Sequence, residues 1–228
     1  MLTPTAYYTL VRDTFRTHGN PETAQGQMWY MRHQFEYFGL KMPQWMAHTK
    51  GIHNAEGLPQ GEDLKQLVRL CFSDDHREMH YFALETVQKT LKTQPAEFIG
   101  FLEELILTRS WWDTVDWINK LVGIHFGRFP GLILPVTECW MASGNIWLQR
   151  VCMIFQLSYK AKTDAELLFK YVRQVADSKE FFLQKGAGWA LRQYSRTNPE
   201  AVREFVANNR LSALTKREAM RLILKSES

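Results

Sequence analysis

Apolar residues recur along this chain at intervals of three and four. From Ala6 to Phe15 they are Ala6, Tyr7, Leu10, Val11 and Phe15, and from Phe181 to Tyr194 they are Leu183, Ala187, Leu191 and Tyr194. That spacing gathers them on one face of an α-helix. No stretch sustains the period-two alternation of Val, Ile and Thr that marks a half-buried strand. Pro and Gly fall mainly at joints such as Asn20-Pro21, Gln94-Pro95, Phe129-Pro130 and Asn198-Pro199. Asn before Pro places a capping side chain ahead of the first helical residue. Ser110-x-x-Asp113 and Thr163-x-x-Glu166 have the form of capping boxes. The residues from Gly51 to Gly61 read as a polar linker. The expected fold is all-α.

The helices repeat. Leu148-Gln149-Arg150 returns as Leu183-Gln184-Lys185, 35 positions on. Stepping back from Arg150 by 34 reaches Asp116 and by a further 35 Tyr81, each about two turns into a helix that follows a polar turn. Those turns are Ser73-Asp74-Asp75, Thr108-Arg109-Ser110, Ala142 to Asn145, and Asp177-Ser178-Lys179. Periods in this range belong to helical solenoids, in which a helix pair buries its face only by stacking on its neighbours. The reading is one domain over 1–228, a right-handed solenoid of HEAT-like repeats. Tyr81, Asp116, Arg150 and Lys185 then point into one concave groove.

Composition narrows the classes. A chain 45% hydrophobic and nearly balanced in charge is not disordered. No apolar run is long enough to span a bilayer, and Met1 to Asp13 does not read as a signal peptide. Cys71, Cys139 and Cys152 are odd in number and far apart, which suits buried thiols in a reducing compartment, the cytoplasm. The net charge of +4 is unevenly spread. From Arg150 onward 15 Lys and Arg face 8 Asp and Glu, a net of +7, which leaves the remainder at −3. A basic C-terminal third points to an anionic partner.

Several residues do not fit the core pattern. In the helix opening at Ser110, Trp111, Val115, Ile118 and Val122 make the core stripe, whereas Trp112 and Asp116 share a face beside it. Asp113 has a capping explanation; Asp116, in the second turn, has none. It is either a buried carboxylate paired with Arg150 or Lys185, or a catalytic one. Arg150 is the single charge in the apolar run from Ile146 to Leu157. Lys185, Trp189, Arg192 and Arg196 form a stripe opposite Leu183, Ala187 and Leu191, flanked by Gly186 and Gly188. Glycine in a helix weakens it, so this pair signals close approach of another helix or a ligand. A basic stripe with an aromatic in it suits phosphates and a flat ring or sugar. There is no glycine-rich phosphate loop and no metal-ligand spacing, and His76 and His80, four apart, read as a surface pair. Nothing signals a cofactor.

Four segments in order carry a resemblance: Ser110-Trp111-Trp112-Asp113-Thr114-Val115-Asp116, Asn145-Ile146-Trp147-Leu148-Gln149-Arg150, Ser178 to Lys185, and Gly188-Trp189-Ala190-Leu191-Arg192. The chain resembles the AlkD-type DNA alkylation repair glycosylases, bacterial proteins of HEAT-like repeats, over nearly its whole length, down to Leu214 to Ala219. The resemblance implies a monofunctional glycosylase that excises cationic N3- and N7-alkylated purines from duplex DNA without flipping the base into a pocket. It implies Trp112, Asp116 and Trp189 in the catalytic cleft, Arg150 and Arg192 on the DNA backbone, and Tyr30 and Phe182 near the duplex. Lys185 joins the DNA-binding set from its place in the basic stripe. Ser158 departs from the pattern, standing where a relative carries a basic residue. The expected partner is alkylated duplex DNA, bound by a monomer with no metal or cofactor. The other classes open to this sequence are a noncatalytic repeat protein that binds DNA structures, whose relatives lack the Trp and Asp retained here, and a protein-binding solenoid whose groove takes an acidic peptide or a partner helix.

Overall fold

The computed structural model describes residues 2–225. Among the described residues the regular structure is helical: thirteen α-helices and three short 3-10 turns, with no strand. The chain divides into two compact units, residues 1–101 and 102–228. The first holds α1 (Pro4–His18), α2 (Pro21–Tyr30), α3 (Met42–Glu56), α4 (Gly61–Ser73) and α5 (Arg77–Thr90). Next comes α6 (Phe98–Leu107), which crosses the division. The second holds α7 (Trp112–Arg128), α8 (Ile133–Ala142), α9 (Ile146–Ile154), α10 (Ala165–Gln174), α11 (Phe181–Tyr194), α12 (Pro199–Asn208) and α13 (Ala213–Lys225).

The repeat register is present in the helix starts. The helices α5, α7, α9 and α11 begin at 77, 112, 146 and 181, which are intervals of 35, 34 and 35. Tyr81, Asp116, Arg150 and Lys185 are each the fifth residue of their helix. The expected core stripes are buried: Val115, Ile118 and Val122 on α7, and Leu183, Ala187 and Leu191 on α11.

In the first unit, Tyr7, Val11 and Phe15 of α1 pack toward α4 and α5, with the Phe15 and Phe82 rings edge to face at 6.4 Å. The segment 31–41 has no regular structure of its own and is pinned by side chains. Glu78, fully buried on α5, accepts the backbone N–H groups of Phe38, Gly39 and Leu40 at 3.1, 2.9 and 3.1 Å. Burial pushes its carboxyl up, against those three donors. Gly39 sits at φ 91°, and a Cβ there would overlap the Asn20 carbonyl. Asp74, in the turn between α4 and α5, accepts from Tyr8 Oη at 2.7 Å, from Arg12 Nε at 2.9 Å, and from the His76 backbone and Nδ1, both at 2.9 Å. Burial raises this carboxyl, but the four hydrogen bonds outweigh it and hold Asp74 well below the usual carboxylate range.

Local expectations fared unevenly. Asn20 and Asn198 cap α2 and α12 as read, accepting from Thr23 and Ala201 N–H. Neither capping box forms. Trp111, not Ser110, occupies the N-cap of α7, and the Ser110 hydroxyl donates back to Ile106 O at 2.5 Å. Asp164, one residue past Thr163, caps α10 by accepting from Leu167 N–H. Capping chemistry is shared by Ser, Thr, Asp and Asn, so neighbouring candidates compete and packing selects between them. The polar stretch from Gly51 is helical as far as Glu56, because Ile52 and His53 are buried beneath it. His80 is fully buried rather than at the surface. Its ring stacks on Phe72 at 4.9 Å, and Nε2 donates to Asp74 O while Nδ1 accepts from Arg77. Cys71 and Cys152 are buried thiols, whereas Cys139 is exposed. Among the described residues no helix is long and apolar enough to cross a membrane.

Candidate active site

The site is built from the fifth residues of successive repeats. Trp112 opens α7, and Asp116 lies one turn further on the same face. On α9, Asn145 caps the N-terminus by accepting from Trp147 and Leu148 N–H, which sets the helix register and places Arg150 opposite Asp116. Arg150 Nε donates to Asp116 Oδ1 at 2.8 Å, and Nη2 donates to Oδ2 at 2.9 Å. This two-pronged geometry is that of an ionised carboxylate on a guanidinium. Nη1 donates to the backbone carbonyl of Phe182 at 2.6 Å and so ties α9 to the start of α11.

Burial within the pair is asymmetric. The Arg150 side chain is 5% exposed and that of Asp116 22%. An approaching molecule therefore meets the negative end of the pair. Burial pushes the Asp116 carboxyl above its ordinary value; the Arg150 guanidinium pulls it down and the nearby Asp113 adds to the rise.

The walls are aromatic. Trp189, on α11, lies with its ring 5.9 Å from the Arg150 guanidinium carbon. Trp111, Trp147 and Phe182 form a cluster with centroids 6.1, 5.3 and 4.9 Å apart. Trp111 is thus a half-buried member of this cluster, outside the helix, and not a residue of the α7 core stripe. Gly186 makes room for the ion pair: a Cβ there would stand 3.0 Å from Arg150 Nη1. The close approach expected at Gly186 and Gly188 is that of other helices, α9 and α13 respectively.

Along the basic stripe Lys185, Trp189 and Arg192 are half-buried and Arg196 is exposed. Lys185 Nζ donates to Glu218 Oε1 at 2.6 Å, and Arg192 Nη1 donates to Glu218 Oε2. The hydrogen bond from Lys185 and the charges of both cations hold the Glu218 carboxyl below its usual range. Sequence reasoning passed over Glu218. It lies 33 residues after Lys185 and is the sixth residue of α13, close to but not on the register that links Asp116, Arg150 and Lys185. Tyr30 belongs to the first unit, 66% exposed at the end of α2 beside Trp29, which is 74% exposed. Among the described residues no group of three or more His, Cys, Asp and Glu could hold a metal ion.

The family model for DNA alkylation repair enzymes matches residues 11–223. A solved structure described as a predicted DNA alkylation repair enzyme from Enterococcus faecalis is similar at 31% identity and a TM-score of 0.86, over 91% of this chain and 97% of that one. AlkD2 from Streptococcus mutans, at 16% identity and a TM-score of 0.60, covers 79% of this chain and 88% of its own. The protein smu.31 from Streptococcus mutans UA159 gives the same identity and TM-score over 76% of this chain and 90% of its own. No curated protein matches the chain.

Proposed function

The chain belongs to the DNA alkylation repair enzyme family, and from that premise we propose that it is a monofunctional glycosylase, hydrolysing the N-glycosidic bond of cationic N3- and N7-alkylated purines in duplex DNA. The observation that carries the reading is the Asp116 carboxylate, held two-pronged by Arg150 and presenting its negative end outward.

Alkylation at N3 or N7 gives the purine a positive charge before any enzyme acts. The base then leaves with the electron pair of the glycosidic bond as a neutral alkylpurine. No general acid is needed, which suits a site with one carboxylate rather than two. As the bond breaks, positive charge moves onto the deoxyribose ring. A carboxylate about 4 Å away offers roughly 4 kcal/mol of gross attraction at an effective dielectric near 20. Arg150 cancels part of that, and the exposure difference within the pair limits the loss because the sugar stands nearer the carboxylate. Water then adds to the sugar carbon and gives up its proton, for which the raised Asp116 carboxyl is a suitable acceptor. Trp112 and Trp189 hold the nucleotide and keep bulk water away. Each indole adds on the order of 0.5 to 2 kcal/mol against a developing cation.

Arg150 has two N–H groups left after its three contacts, since a guanidinium carries five. Its side chain is only 5% exposed, so donation to a backbone phosphate requires that DNA binding uncover it. Lys185 and Arg192 supply further backbone affinity, which carries no sequence information. Tyr30 and Phe182 are proposed as further duplex contacts; the Phe182 carbonyl also holds Arg150.

Incubation with methylated genomic DNA, followed by assay for free alkylpurine, tests the reading. The wild-type chain should release 7-methylguanine, and Asp116→Asn should release it roughly 100-fold more slowly while duplex binding persists. Near wild-type release by that variant would overturn the mechanism. Binding with no release by the wild-type chain would make it a noncatalytic DNA-structure-binding protein.

A further inference from the structure

Glu218 has the burial of a core residue and the contacts of a site residue. Its side chain is 9% exposed, and two cations of α11 close on its two oxygens. Lys185 and Arg192 are seven residues apart, two turns along one helix face, and one carboxylate on α13 spans them both. The carboxylate does not owe its place to those cations. Gly188 lies between them with no side chain, and a Cβ there would stand 2.5 Å from Glu218 Cβ and 3.0 Å from Thr215 O. Thr215 Oγ1 also donates to Gln184 O at 3.1 Å. So α13 is seated on α11 by backbone-level contact, and Glu218 is delivered by that seating.

We infer that Glu218 is a positioning residue, which holds Lys185 and Arg192 side by side as a preset two-cation seat for one DNA phosphate. The inference rests on the DNA reading above. The cations remain reachable, at 41% and 23% exposure of their side chains. Lys185 has three N–H donors and Arg192 five, and each gives one to Glu218. Two long side chains that were free would lose their rotamer freedom on binding; here it is lost on folding instead.

Position and charge make opposite predictions for Glu218. A carboxylate near a DNA-binding surface repels phosphate, so on charge alone its removal tightens binding. As a positioning group, its removal weakens binding although the protein gains a positive charge. The test is binding of a short mixed-sequence duplex, across a range of salt concentrations, by wild type and Glu218→Gln, with folding checked by circular dichroism. Glu218→Gln should bind about 5- to 20-fold more weakly near 0.1 M salt, with the slope of log affinity against log salt shallower by roughly one to two. Equal or tighter binding by the folded variant overturns the positioning role and leaves the DNA reading intact. A wild-type chain that binds no duplex overturns both. Lys185→Gln and Arg192→Gln test the seat with Glu218 untouched. Acting on one phosphate, the cations should be coupled, so the double variant loses less than the product of the single losses. Multiplicative losses would likewise overturn the seat.

Discussion

At the scale of the residue, the decisive fact is that the carboxylate proposed for chemistry is already half of an ion pair. A buried pair costs desolvation that only good geometry recovers, and breaking one by removing a partner costs about 3 to 5 kcal/mol. Arg150 therefore supports both the fold and the proposed reaction, and its three contacts demand a planar fork. Lys keeps the charge but cannot reach both Asp116 oxygens and the Phe182 carbonyl together. Arg150→Lys should lower alkylpurine release at least about tenfold at a smaller stability cost than Arg150→Ala. Release at the wild-type rate by the Lys variant would show that orientation of Asp116 does not depend on the fork. Gly188 gives a second residue-scale expectation. Ala is the better helix former by about 1 kcal/mol, yet its methyl would press on Glu218 Cβ and the Thr215 carbonyl. Gly188→Ala should cost about 1 to 3 kcal/mol in thermal unfolding, as overpacking does. A stabilised variant would mean that α13 yields at no cost.

At the scale of the element, the first unit shows how an irregular segment is held. The segment 31–41 is fixed by a buried Glu78 that takes three of its N–H groups, and the turn after α4 is fixed by Asp74. Asp74 is depressed in the folded state, so the stability it contributes is fully present above its unfolded value near 4 and is lost as pH falls further. Asp74→Asn should cost about 2 kcal/mol at neutral pH, and the deficit should shrink below about pH 4. A deficit that stays constant through the acid range would remove Asp74 from the list of pH-linked groups. His53 acts earlier on the same scale. Burial and then Lys89 lower its pKa from 6.5 to about 4. The unfolded chain thus takes up the proton first, and stability declines as pH falls through that interval. His53→Gln should flatten this part of the profile, read as melting temperature against pH; an unchanged slope would place its origin elsewhere.

At the scale of the whole molecule, the charge is distributed between the two units. Residues 1–101 carry 10 Lys and Arg against 11 Asp and Glu; residues 102–228 carry 18 against 13. If duplex binding works through released counterions, neutralising Lys185, Arg192 and Arg196 together should flatten the salt dependence by roughly two to three. Neutralising Lys50, Lys65 and Lys89 in the first unit should leave it nearly unchanged. Equal flattening by both sets would point to nonspecific net charge rather than the α11 stripe.

Much of this was legible in order along the chain, because helical period and repeat interval are local properties. The fifth-residue register of Asp116, Arg150 and Lys185 and the Asn caps of α2 and α12 follow from spacing alone. Spacing also limited Asp116 to a few partners. It could not choose among them, since which face meets which neighbour depends on how helices stack. Only the tertiary structure gave Asp116 to Arg150, Lys185 and Arg192 to Glu218, and the interior to His80. A helix pattern says which residues share a side. Burial and ion pairing are settled between elements, where close packing admits one arrangement and desolvation penalises a charge left without its partner.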